Sequence, residues 1–350
     1  MANIKSGGSP YGLHRVIEPH GVLPQPALRV SNDFSFIYDN EILCDVDTLN
    51  VDAASFHVLW EKSHHNEKEF RTLLLKIVSD QGKLKNPWTG SGGMFVGRIN
   101  QIGSQLKNKI SLQSGDPIAS LVSLSLTPLC IDEIISVNPE RDQVHIKGQA
   151  ILFESGIWAP IPPDLPKTLA LAVLDVAGAA AQVARFVKPM QTVAVLGARG
   201  KSGLLCCAMA RRCVGPQGKV IAVIPHEEGR EDVDQAPFID EVLIAPVDQA
   251  LLLHEKIKSL THNQLCDVVI NCVSKPNCEL GSIMICKERG LVYFFSMATD
   301  FTKAALGAEG IGKDVDLIIG NGYCENHAQI TLDLLRSEPY IFELYKKRYA

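Results

Sequence analysis

The sequence lacks an excess of basic residues and lacks an apolar leading segment. Lys and Arg total 34 against 39 Asp and Glu, so the formal net charge is -5 at pH 7. Proteins that hold polyanions carry a basic surface, and this balance therefore predicts no nucleic-acid partner. The opening residues, MANIKSGGSPYGLHRV, contain no apolar core of the kind that a secretory signal peptide needs. We expect a soluble, cytoplasmic protein.

Cysteine pairs at metal-binding spacing are absent as well. The 10 cysteines include no CxxC motif, and Cys206 and Cys207 are adjacent on a predicted helix. Scattered thiols are typical of a reducing compartment, and no metal site is predicted. A long apolar stretch at residues 170–187 still holds Asp175 and Arg185. It predicts a buried amphipathic helix, so no membrane partner is expected.

The sequence does contain a dinucleotide fingerprint at residues 192–213, TVAVLGARGKSGLLCCAMARRC. A β-branched apolar run predicts a buried strand at 192–196, and glycines three residues apart follow it before a helical apolar pattern. Gly197 suits the tight turn. Gly200 lets the backbone approach a pyrophosphate, and Gly203 lets the helix pack against the strand.

The predicted phosphate site uses the first turn of that helix, where free N–H groups and the helix dipole favour anions. A second strand at 219–224, KVIAVI, stands at the distance expected of a βαβ unit. This context predicts a nucleotide site, and the alternative is a plain tight turn in a parallel sheet. The predicted cofactor-binding residues of the turn are Gly197, Ala198, Arg199, Gly200, Lys201, Ser202 and Gly203.

Beyond the fingerprint, strands and helices alternate along the chain, which predicts an α/β fold with a doubly wound parallel sheet. Further strands are predicted at 241–245, 266–272, 291–296 and 315–319. Further helices are predicted at 249–260, 278–288 and 325–335, the last of them before a basic tail. Ligands of such sheets bind at the carboxyl ends of the strands, which adds Asn271, Ser296 and Met297 to the predicted site.

The first half of the chain reads as a mostly β domain resembling a small barrel. Its predicted strands are 41–49, 118–126, 131–137 and 144–146, with a glycine-rich strand region at 90–103. A Pro-rich segment at 160–166 marks the domain boundary. We therefore predict domains at 1–165 and 166–324, with residues 325–350 returning to the first.

Several polar residues outside the fingerprint are candidates for a site. Arg15 lies on a Pro-bounded extended segment, and it either belongs to a solvated arm or reaches an active site. Asn50 and Asp52 follow a strand, as turn and cap residues or as site residues. Asp175 lies on the apolar helix, where a carboxylate is costly unless it is paired or has a task. Glu154 precedes the Pro-rich boundary.

The order of these parts resembles the medium-chain dehydrogenase/reductase superfamily. GARGKSGLL resembles the glycine turn of its quinone-reductase branch, and residues 92–103, GGMFVGRINQIG, resemble a segment that carries zinc ligands in the zinc branch. The His and Glu of that segment fall on Gly93 and Met94, and the usual Cys position falls near Asn50. The resemblance implies a GroES-like first domain, a Rossmann second domain and no bound metal.

A narrower resemblance covers residues 14–323. The segments HRVIEPHGVLPQPA, NEILCDVDTLN, KGQAILFESGI and YFFSMATDFTKAALGAEGIGKDV, among others, are similar to the L-erythro-3,5-diaminohexanoate dehydrogenase family. That family implies NAD-dependent oxidation of the C3 amine of a diamino acid in anaerobic lysine fermentation. The products are 5-amino-3-oxohexanoate and ammonium. The superfamily implies a homodimer or higher homo-oligomer that pairs through the edge strand near 315–319.

The implied chemistry needs a general base for the substrate ammonium. Asp175 is the first candidate, and Asn50 and Asp52 are next. Glu154 is predicted to hold the second ammonium of the substrate. Two further roles complete the prediction. Arg15 or Lys303 binds the substrate carboxylate, and Ser296, Met297 and Thr299 lie beside the nicotinamide.

The choice between NAD and NADP stays open. The strand at 219–224 ends without the acidic residue that usually binds the ribose of NAD, although Glu227 and Glu228 are near. Arg199, His226 and Arg230 could instead receive a 2′-phosphate. Two other readings are a zinc-free NADPH-dependent quinone or enoyl reductase, and a nucleotide-binding protein without catalysis.

Overall fold

The computed structural model of the chain describes residues 2–350. It divides into two compact units, one up to Pro163 and one from Asp164 to Ala350. The division falls two residues before the predicted boundary. The two units are described separately below.

The first unit consists mainly of short strands with two helices. Its strands are β1 Asn3–Lys5, β2 Val16–Glu18, β3 Arg29–Val30, β4 Phe36–Tyr38, β5 Glu41–Asn50, β6 Met94–Ile102, β7 Pro117–Ser120, β8 Leu129–Asn138, β9 Gln143–Phe153 and β10 Trp158–Pro160. Its helices are α1 Ala53–Lys62 and α2 Glu67–Gln81. Two polar side chains begin these helices: Asp52 accepts from the N–H of Ser55, and Asn66 accepts from the N–H groups of Lys68 and Glu69.

Six of these strands form one antiparallel sheet in the order β10-β7-β6-β5-β9-β8. Phe56 of α1 and Phe70 of α2 pack in one core with Leu49 and Phe95 of the sheet. The mostly β character of this half is therefore as predicted. The sequence-based prediction missed α2. It also limited β9 to residues 144–146, because the polar residues along this strand hide its apolar alternation.

The second unit alternates helices and strands. Its strands are β11 Thr192–Leu196, β12 Lys219–Ile224, β13 Glu241–Ile244, β14 Cys266–Asn271, β15 Cys286–Phe294 and β16 Val315–Ile319. Its helices are α3 Lys167–Leu174, α4 Ala177–Phe186, α5 Lys201–Val214, α6 Glu231–Asp234, α7 Ala250–Leu260, α8 Glu279–Met284, α9 Phe301–Gly310, α10 His327–Ser337 and α11 Pro339–Tyr349.

All six strands are parallel and lie in the order β13-β12-β11-β14-β15-β16. Helices α7, α8 and α9 pack together as one group, and α3, α4, α5, α10 and α11 pack as another. The predicted doubly wound parallel sheet is confirmed. Strands β11 and β12 have the predicted bounds because buried parallel strands are continuous apolar runs, which are easy to recognise.

Three sequence predictions about this unit were wrong. The apolar helix breaks at Asp175 and Val176, so α3 and α4 meet at an angle of 47°. The helix predicted at 278–288 ends at Met284, because β15 already begins at Cys286. Residues 325–350 do not return to the first unit: α10 packs on α3, α4 and α5, and α11 replaces the predicted tail.

No single helix among residues 2–350 has the length and apolar composition to cross a membrane. Taken together, α3 and α4 would meet those two criteria, but only as a bent pair.

Candidate nucleotide-binding site

The glycine turn connects β11 to α5. Gly197 has a φ of 75°, a left-handed conformation that favours glycine. A Cβ at Gly203 would lie 2.2 Å from the carbonyl oxygen of Gly197, so any side chain there would force the helix off the turn. Gly200 is extended and precedes α5, and a Cβ there would meet only the Gly197 carbonyl oxygen, at 3.4 Å. The turn therefore has the shape of a phosphate cradle, with backbone open on the side of Gly200.

A cavity of about 550 Å³ lies beside this turn. It occupies the carboxyl ends of β11, β12, β13 and β14, which is where ligands of parallel α/β sheets bind. All of its lining residues belong to the second unit. They are Gly197, Arg199, Gly200, Ile224, Pro225, His226, Glu228, Pro246, Val247, Asp248, Cys272, Val273, Ser274, Lys275, Cys278 and Arg348.

Two arginines and one carboxylate form a cluster at the cavity wall. Arg199 extends from the glycine turn over Gly229, where a Cβ would lie 2.1 Å from its guanidinium. Arg348 of α11 donates from Nη1 to the carbonyl oxygen of Arg199, at 3.0 Å. Asp232 accepts from both side chains, from Arg199 Nε at 3.5 Å and from Nη2 of Arg348.

A second ion pair lies elsewhere on the same wall. Lys275 Nζ donates to Asp248 Oδ2 at 2.6 Å. This hydrogen bond lowers the pKa of the Asp248 carboxyl and raises the pKa of the Lys275 ammonium. The two charges offset one another.

Asp175 contacts the glycine turn through Lys201. Lys201, the first residue of α5, donates from Nζ to Asp175 Oδ2 at 2.7 Å. The Asp175 side chain is 23% exposed, so solvent reaches it. This pairing explains how a carboxylate is accommodated at the end of the apolar helix α3, and it links the predicted base to the cofactor turn. Neither residue lines the cavity.

The predicted cofactor residues separate into two sets. Gly197, Arg199, Gly200 and His226 line the cavity. The other predicted cofactor residues do not line the cavity. Ala198, Ser202 and Gly203 are buried within the turn and the helix start.

Asn271 is a supporting residue and does not line the cavity. It is buried, donates from Nδ2 to Ser282 Oγ at 2.9 Å and accepts from the N–H of Val273 at 2.8 Å. It thereby holds the loop that supplies several lining residues. Ser296 and Met297 follow β15 but lie outside the lining set, and Met297 is 89% exposed.

Asn50 and Asp52 lie at the end of β5 in the first unit. Asn50 is buried and accepts from Gln143 Nε2 at 3.2 Å. Asp52 caps α1 by accepting from the N–H of Ser55 at 2.9 Å, and its other oxygen accepts from Ser91 Oγ. The structure therefore gives Asp52 the cap role that the sequence offered as its plainer reading.

Glu154 and Arg15 lie at the opposite end of the same strand pair. In the β5–β9 register Asn50 pairs with Gln143 whereas Glu41 pairs with Phe153. The ten residues of β5 span about 30 Å. Asn50 and Glu154 are therefore too far apart to contact one six-carbon substrate together, and the ammonium-binding role of Glu154 stays a prediction.

The predicted role of Arg15 is corrected by its own contacts. Arg15 is 1% exposed, and its Nη2 and Nε donate to the two oxygens of buried Glu41 at 2.7 and 2.9 Å. It also donates to the carbonyl oxygens of Asp33 and Phe36. These bonds use four of the five N–H donors of the guanidinium, and the side chain is excluded from solvent, so Arg15 is neither a solvated arm residue nor a ligand for a substrate carboxylate.

Three other predicted residues have local partners. Glu154 Oε1 accepts from Lys109 Nζ at 2.9 Å, and this bond lowers the pKa of the Glu154 carboxyl. Lys303 is exposed and donates from Nζ to Asn277 Oδ1 at 2.8 Å. Thr299 donates its N–H to the carbonyl oxygen of Ser296.

Sequence reasoning missed Asp232, Asp248, Lys275 and Arg348. Asp248 and Lys275 follow β13 and β14, so the rule that ligands bind at strand ends could have found them. Arg348 lies in the last helix, and no local signal links it to the turn. The third basic candidate for a 2′-phosphate, Arg230, is partly exposed and pairs with Glu227 and Asp234 outside the cavity lining.

Within residues 2–350, no three His, Cys, Asp or Glu side chains come together as a group that could hold a metal ion.

Comparisons with known proteins agree with this architecture. The family model described as the L-erythro-3,5-diaminohexanoate dehydrogenase N-terminal domain matches residues 14–162. Among solved structures, mycobacterial Rv1454c complexed with NADPH matches with a TM-score of 0.56 and 16% identity, covering 99% of this chain and 96% of that one. The quinone oxidoreductase from Coxiella burnetii matches with a TM-score of 0.53 and 15% identity, covering 89% and 81%. At these identities the likeness establishes the fold alone.

Two curated relatives are far more similar. The L-erythro-3,5-diaminohexanoate dehydrogenase of Acetoanaerobium sticklandii is 52% identical over 342 residues, covering 98% of this chain and 99% of that protein. The enzyme of the same name from Fusobacterium nucleatum is 51% identical over 343 residues, with the same coverage. The chain thus belongs to the L-erythro-3,5-diaminohexanoate dehydrogenase family.

Proposed function

We propose that this protein catalyses the oxidative deamination of L-erythro-3,5-diaminohexanoate with a nicotinamide dinucleotide. The products are 5-amino-3-oxohexanoate, ammonium and the reduced cofactor, and the reaction belongs to anaerobic lysine fermentation in the cytoplasm. The observation that carries the proposal is the identity of about half of all residues, over nearly the full length, with two relatives that bear this enzyme's name.

The site fits a dinucleotide. The left-handed Gly197 and the close approach of Gly203 make a cradle that a side chain would fill, and the cavity beside it is large enough for an adenosine moiety. Gly197 and Gly200 would hold the pyrophosphate against the start of α5. The bound cofactor, NAD or NADP, supplies a hydride acceptor. Ser296, Met297 and Thr299 stay proposed neighbours of the nicotinamide, and Lys303 of the substrate carboxylate.

The chain's own residues must handle protons. A hydride leaves C3 only when the amine lone pair is free, so a base must first take a proton from the substrate ammonium. We assign this role to Asp175, whose carboxylate is partly exposed and is oriented by Lys201. Asn50 and Asp52 are the secondary candidates.

The second half of the reaction is hydrolysis. Water adds to the iminium carbon, the carbon–nitrogen bond breaks and ammonium leaves, so the ketone oxygen comes from water. The carboxylate first releases to solvent the proton that it took from the ammonium. It can then accept a proton from the attacking water and return it to the departing nitrogen. A single acid–base residue is therefore sufficient for both halves.

The test is a steady-state assay that follows reduced nicotinamide with 3,5-diaminohexanoate, run in parallel with NAD and NADP. Turnover with either supports the proposal. Absence of turnover, in protein that binds a dinucleotide, contradicts it. Oxidation of NADPH by quinones or enones would then favour the reductase reading, and cofactor binding without any turnover would favour a non-catalytic protein.

We also propose a homodimer or higher homo-oligomer. β16 is the last strand of the parallel sheet, and Ile319 on it is 50% exposed. An exposed edge strand offers unpaired backbone groups to a second copy. Light scattering coupled to size exclusion measures the molar mass, and a monomer at working concentration would contradict this.

A further inference from the structure

Two thiols meet next to the glycine turn. Cys206 lies on α5 and is fully buried, and Cys272 directly follows β14. Both thiols are free, and their sulfur atoms lie 4.0 Å apart. The sulfur atoms of a disulfide are about 2 Å apart, so the pair needs to approach by a further 2 Å or so to form this bond. The two residues are 66 positions apart in the sequence, and only the fold brings them together.

The two thiols differ in their access to solvent. Cys272 is partly exposed and lines the cavity, so a small molecule that enters the cavity meets this residue. Cys206 is closed to solvent. Burial, and after it the neighbouring Cys272 thiol, raises the pKa of Cys206 well above its ordinary value, so this thiol stays protonated. An accessible thiol that contacts a buried second thiol is the arrangement in which a sulfenic acid is resolved to a disulfide.

A second pair of neighbouring cysteines shows why access matters. Cys266 of β14 and Cys286 of β15 are partners in the parallel register. Both are fully buried, burial raises the pKa of both thiols, and neither lines the cavity. A reagent in solvent therefore does not reach this pair, whereas it reaches Cys272.

Cys272 also packs directly against the glycine turn. Its N–H donates to the carbonyl oxygen of Leu196 at 3.0 Å. A Cβ at Gly197 would lie 3.2 Å from the carbonyl carbon of Cys272. Cys206 lies in the helix that begins at this turn. Drawing the two sulfur atoms together must therefore move either the loop after β14 or α5, and both border the phosphate cradle.

We propose that Cys206 and Cys272 form a reversible disulfide when a hydroperoxide reaches the cofactor-free cavity, and that this bond weakens dinucleotide binding. The inference rests on the proposed function only in assigning the cavity to the dinucleotide. Because coupled binding equilibria are reciprocal, a bound dinucleotide makes the disulfide less favourable. The dinucleotide also covers Cys272, so the bond forms mainly in protein without cofactor.

The reaction balances with one hydrogen peroxide. The Cys272 thiolate attacks a peroxide oxygen, the O–O bond breaks, and a sulfenic acid and one water result. The Cys206 sulfur then attacks the Cys272 sulfur, the S–O bond breaks, and the Cys206 thiol proton leaves with the hydroxyl as a second water. The two thiols lose two electrons in total, and the peroxide gains them. A thiol reductant reverses the bond by exchange.

The first measurement maps the bond in the full chain. Cofactor-free protein is treated with hydrogen peroxide, its remaining thiols are alkylated, and its peptides are analysed by mass spectrometry. We expect a link between Cys206 and Cys272 that lacks two hydrogens and disappears with dithiothreitol, and fragment ions distinguish Cys206 from the adjacent Cys207. Saturating NAD or NADP should slow the reaction at least about fivefold. Absence of the link, or a link from Cys272 to a different cysteine, would overturn the proposal.

The second measurement is titration calorimetry with NAD and with NADP, on reduced and on peroxide-treated protein. We expect oxidation to weaken the dinucleotide that binds by at least about tenfold, and dithiothreitol to restore its affinity. Cys206→Ala should keep its affinity after peroxide treatment, and Cys272→Ala provides an independent test if thermal melting shows that Cys206→Ala is unfolded. Cys213→Ala removes a partly exposed thiol of the same helix and is the matched control, which should respond to peroxide like the unchanged protein.

Two results of the calorimetry would contradict the proposal. One is unchanged dinucleotide affinity in protein that carries the link. The other is an equal loss of affinity in folded Cys206→Ala, because that loss would then come from oxidation elsewhere.

The turnover assay separates this inference from the proposed function. Turnover of 3,5-diaminohexanoate that persists undiminished in the linked protein would refute the effect of the disulfide and leave the function intact. A reversible, peroxide-dependent loss of dinucleotide binding in protein that never oxidises the diamino acid would do the reverse.

Discussion

Arg15 in the first unit and Arg348 in the second both pair with a carboxylate, but in opposite environments. Arg15 and Glu41 are excluded from solvent and bond each other bidentately, with backbone carbonyls taking further donors. The Arg348 and Asp232 side chains are 20% and 18% exposed, and their cluster has two guanidiniums for one acid. A saturated, buried pair is part of the core. An unbalanced pair at a cavity wall can still take a ligand.

The comparison also shows why residue type alone misleads. Both arginines are basic residues near one end of the chain, and the sequence reading gave a ligand role to Arg15 and none to Arg348. The burial of each arginine and the number of carboxylates that it can pair with decide whether it is a core residue or a ligand-binding residue. The other bonds of this buried ion pair go to neighbouring groups of the protein, because both charges have lost their hydration and depend on such partners.

The largest expected effect comes from breaking the buried pair. Glu41→Gln leaves the Arg15 guanidinium buried without its counter-charge and also weakens the bond from His14. We expect the free energy of unfolding to fall by about 3–5 kcal/mol. Urea denaturation measures this, and Glu154→Gln, at the same end of the sheet but partly exposed, is the control. A loss below about 1 kcal/mol would mean that the cluster is not a structural element.

A third carboxylate–cation pair, Asp175 with Lys201, is expected to serve chemistry. Asp175→Asn keeps an oxygen that can accept from Lys201 and removes the base. We expect turnover of 3,5-diaminohexanoate to fall at least about 100-fold, with dinucleotide affinity unchanged.

Steady-state and calorimetric measurements on the same preparation test this expectation. Asp333→Asn, on the exposed face of α10, is the control. Near-normal turnover of Asp175→Asn would remove Asp175 from the role of base.

The smallest expected effect is the pH response of a partly exposed pair, Lys109 with Glu154. The hydrogen bond from Lys109 lowers the pKa of Glu154 in the folded chain. Its contribution to stability is therefore present above about pH 4.3, the ordinary glutamate value, and is lost as the pH falls through the lower folded value. Because this pair is solvated, the acid unfolding curve of Glu154→Gln should nearly overlay that of the unchanged protein.

Glu41 gives the contrast in the same pH range. Burial alone would raise the pKa of Glu41, but the hydrogen bonds from His14 and Arg15 and the Arg15 charge lower it overall. The sign is the same as for Glu154, so stability is lost on acidification. We expect the free energy of unfolding of Glu41→Gln to fall much less steeply on acidification than that of Glu154→Gln. The same pH dependence of the free energy of unfolding in both variants would contradict the difference between the buried pair and the partly exposed pair.

Much of the second unit could be predicted, because its signals are local. Buried parallel strands are apolar runs, and the turn between β11 and α5 needs glycine where φ is positive or where backbone approaches backbone. The break of the apolar helix at Asp175 had no such signal. Neither did α11, whose sequence PYIFELYKKRY reads as a basic tail until its apolar face is seen packed in the unit.

The sequence by itself determined the fold class, the cofactor cradle and the family, because these depend on short patterns and on long stretches of shared residues. The tertiary structure alone decided which charged side chains meet. The antiparallel register of β5 and β9 placed Asn50 and Glu154 about 30 Å apart. The docking of α11 brought Arg348 to a turn 149 residues earlier. Electrostatic partners act over a few ångströms in space, and their separation along the chain carries no information about that distance.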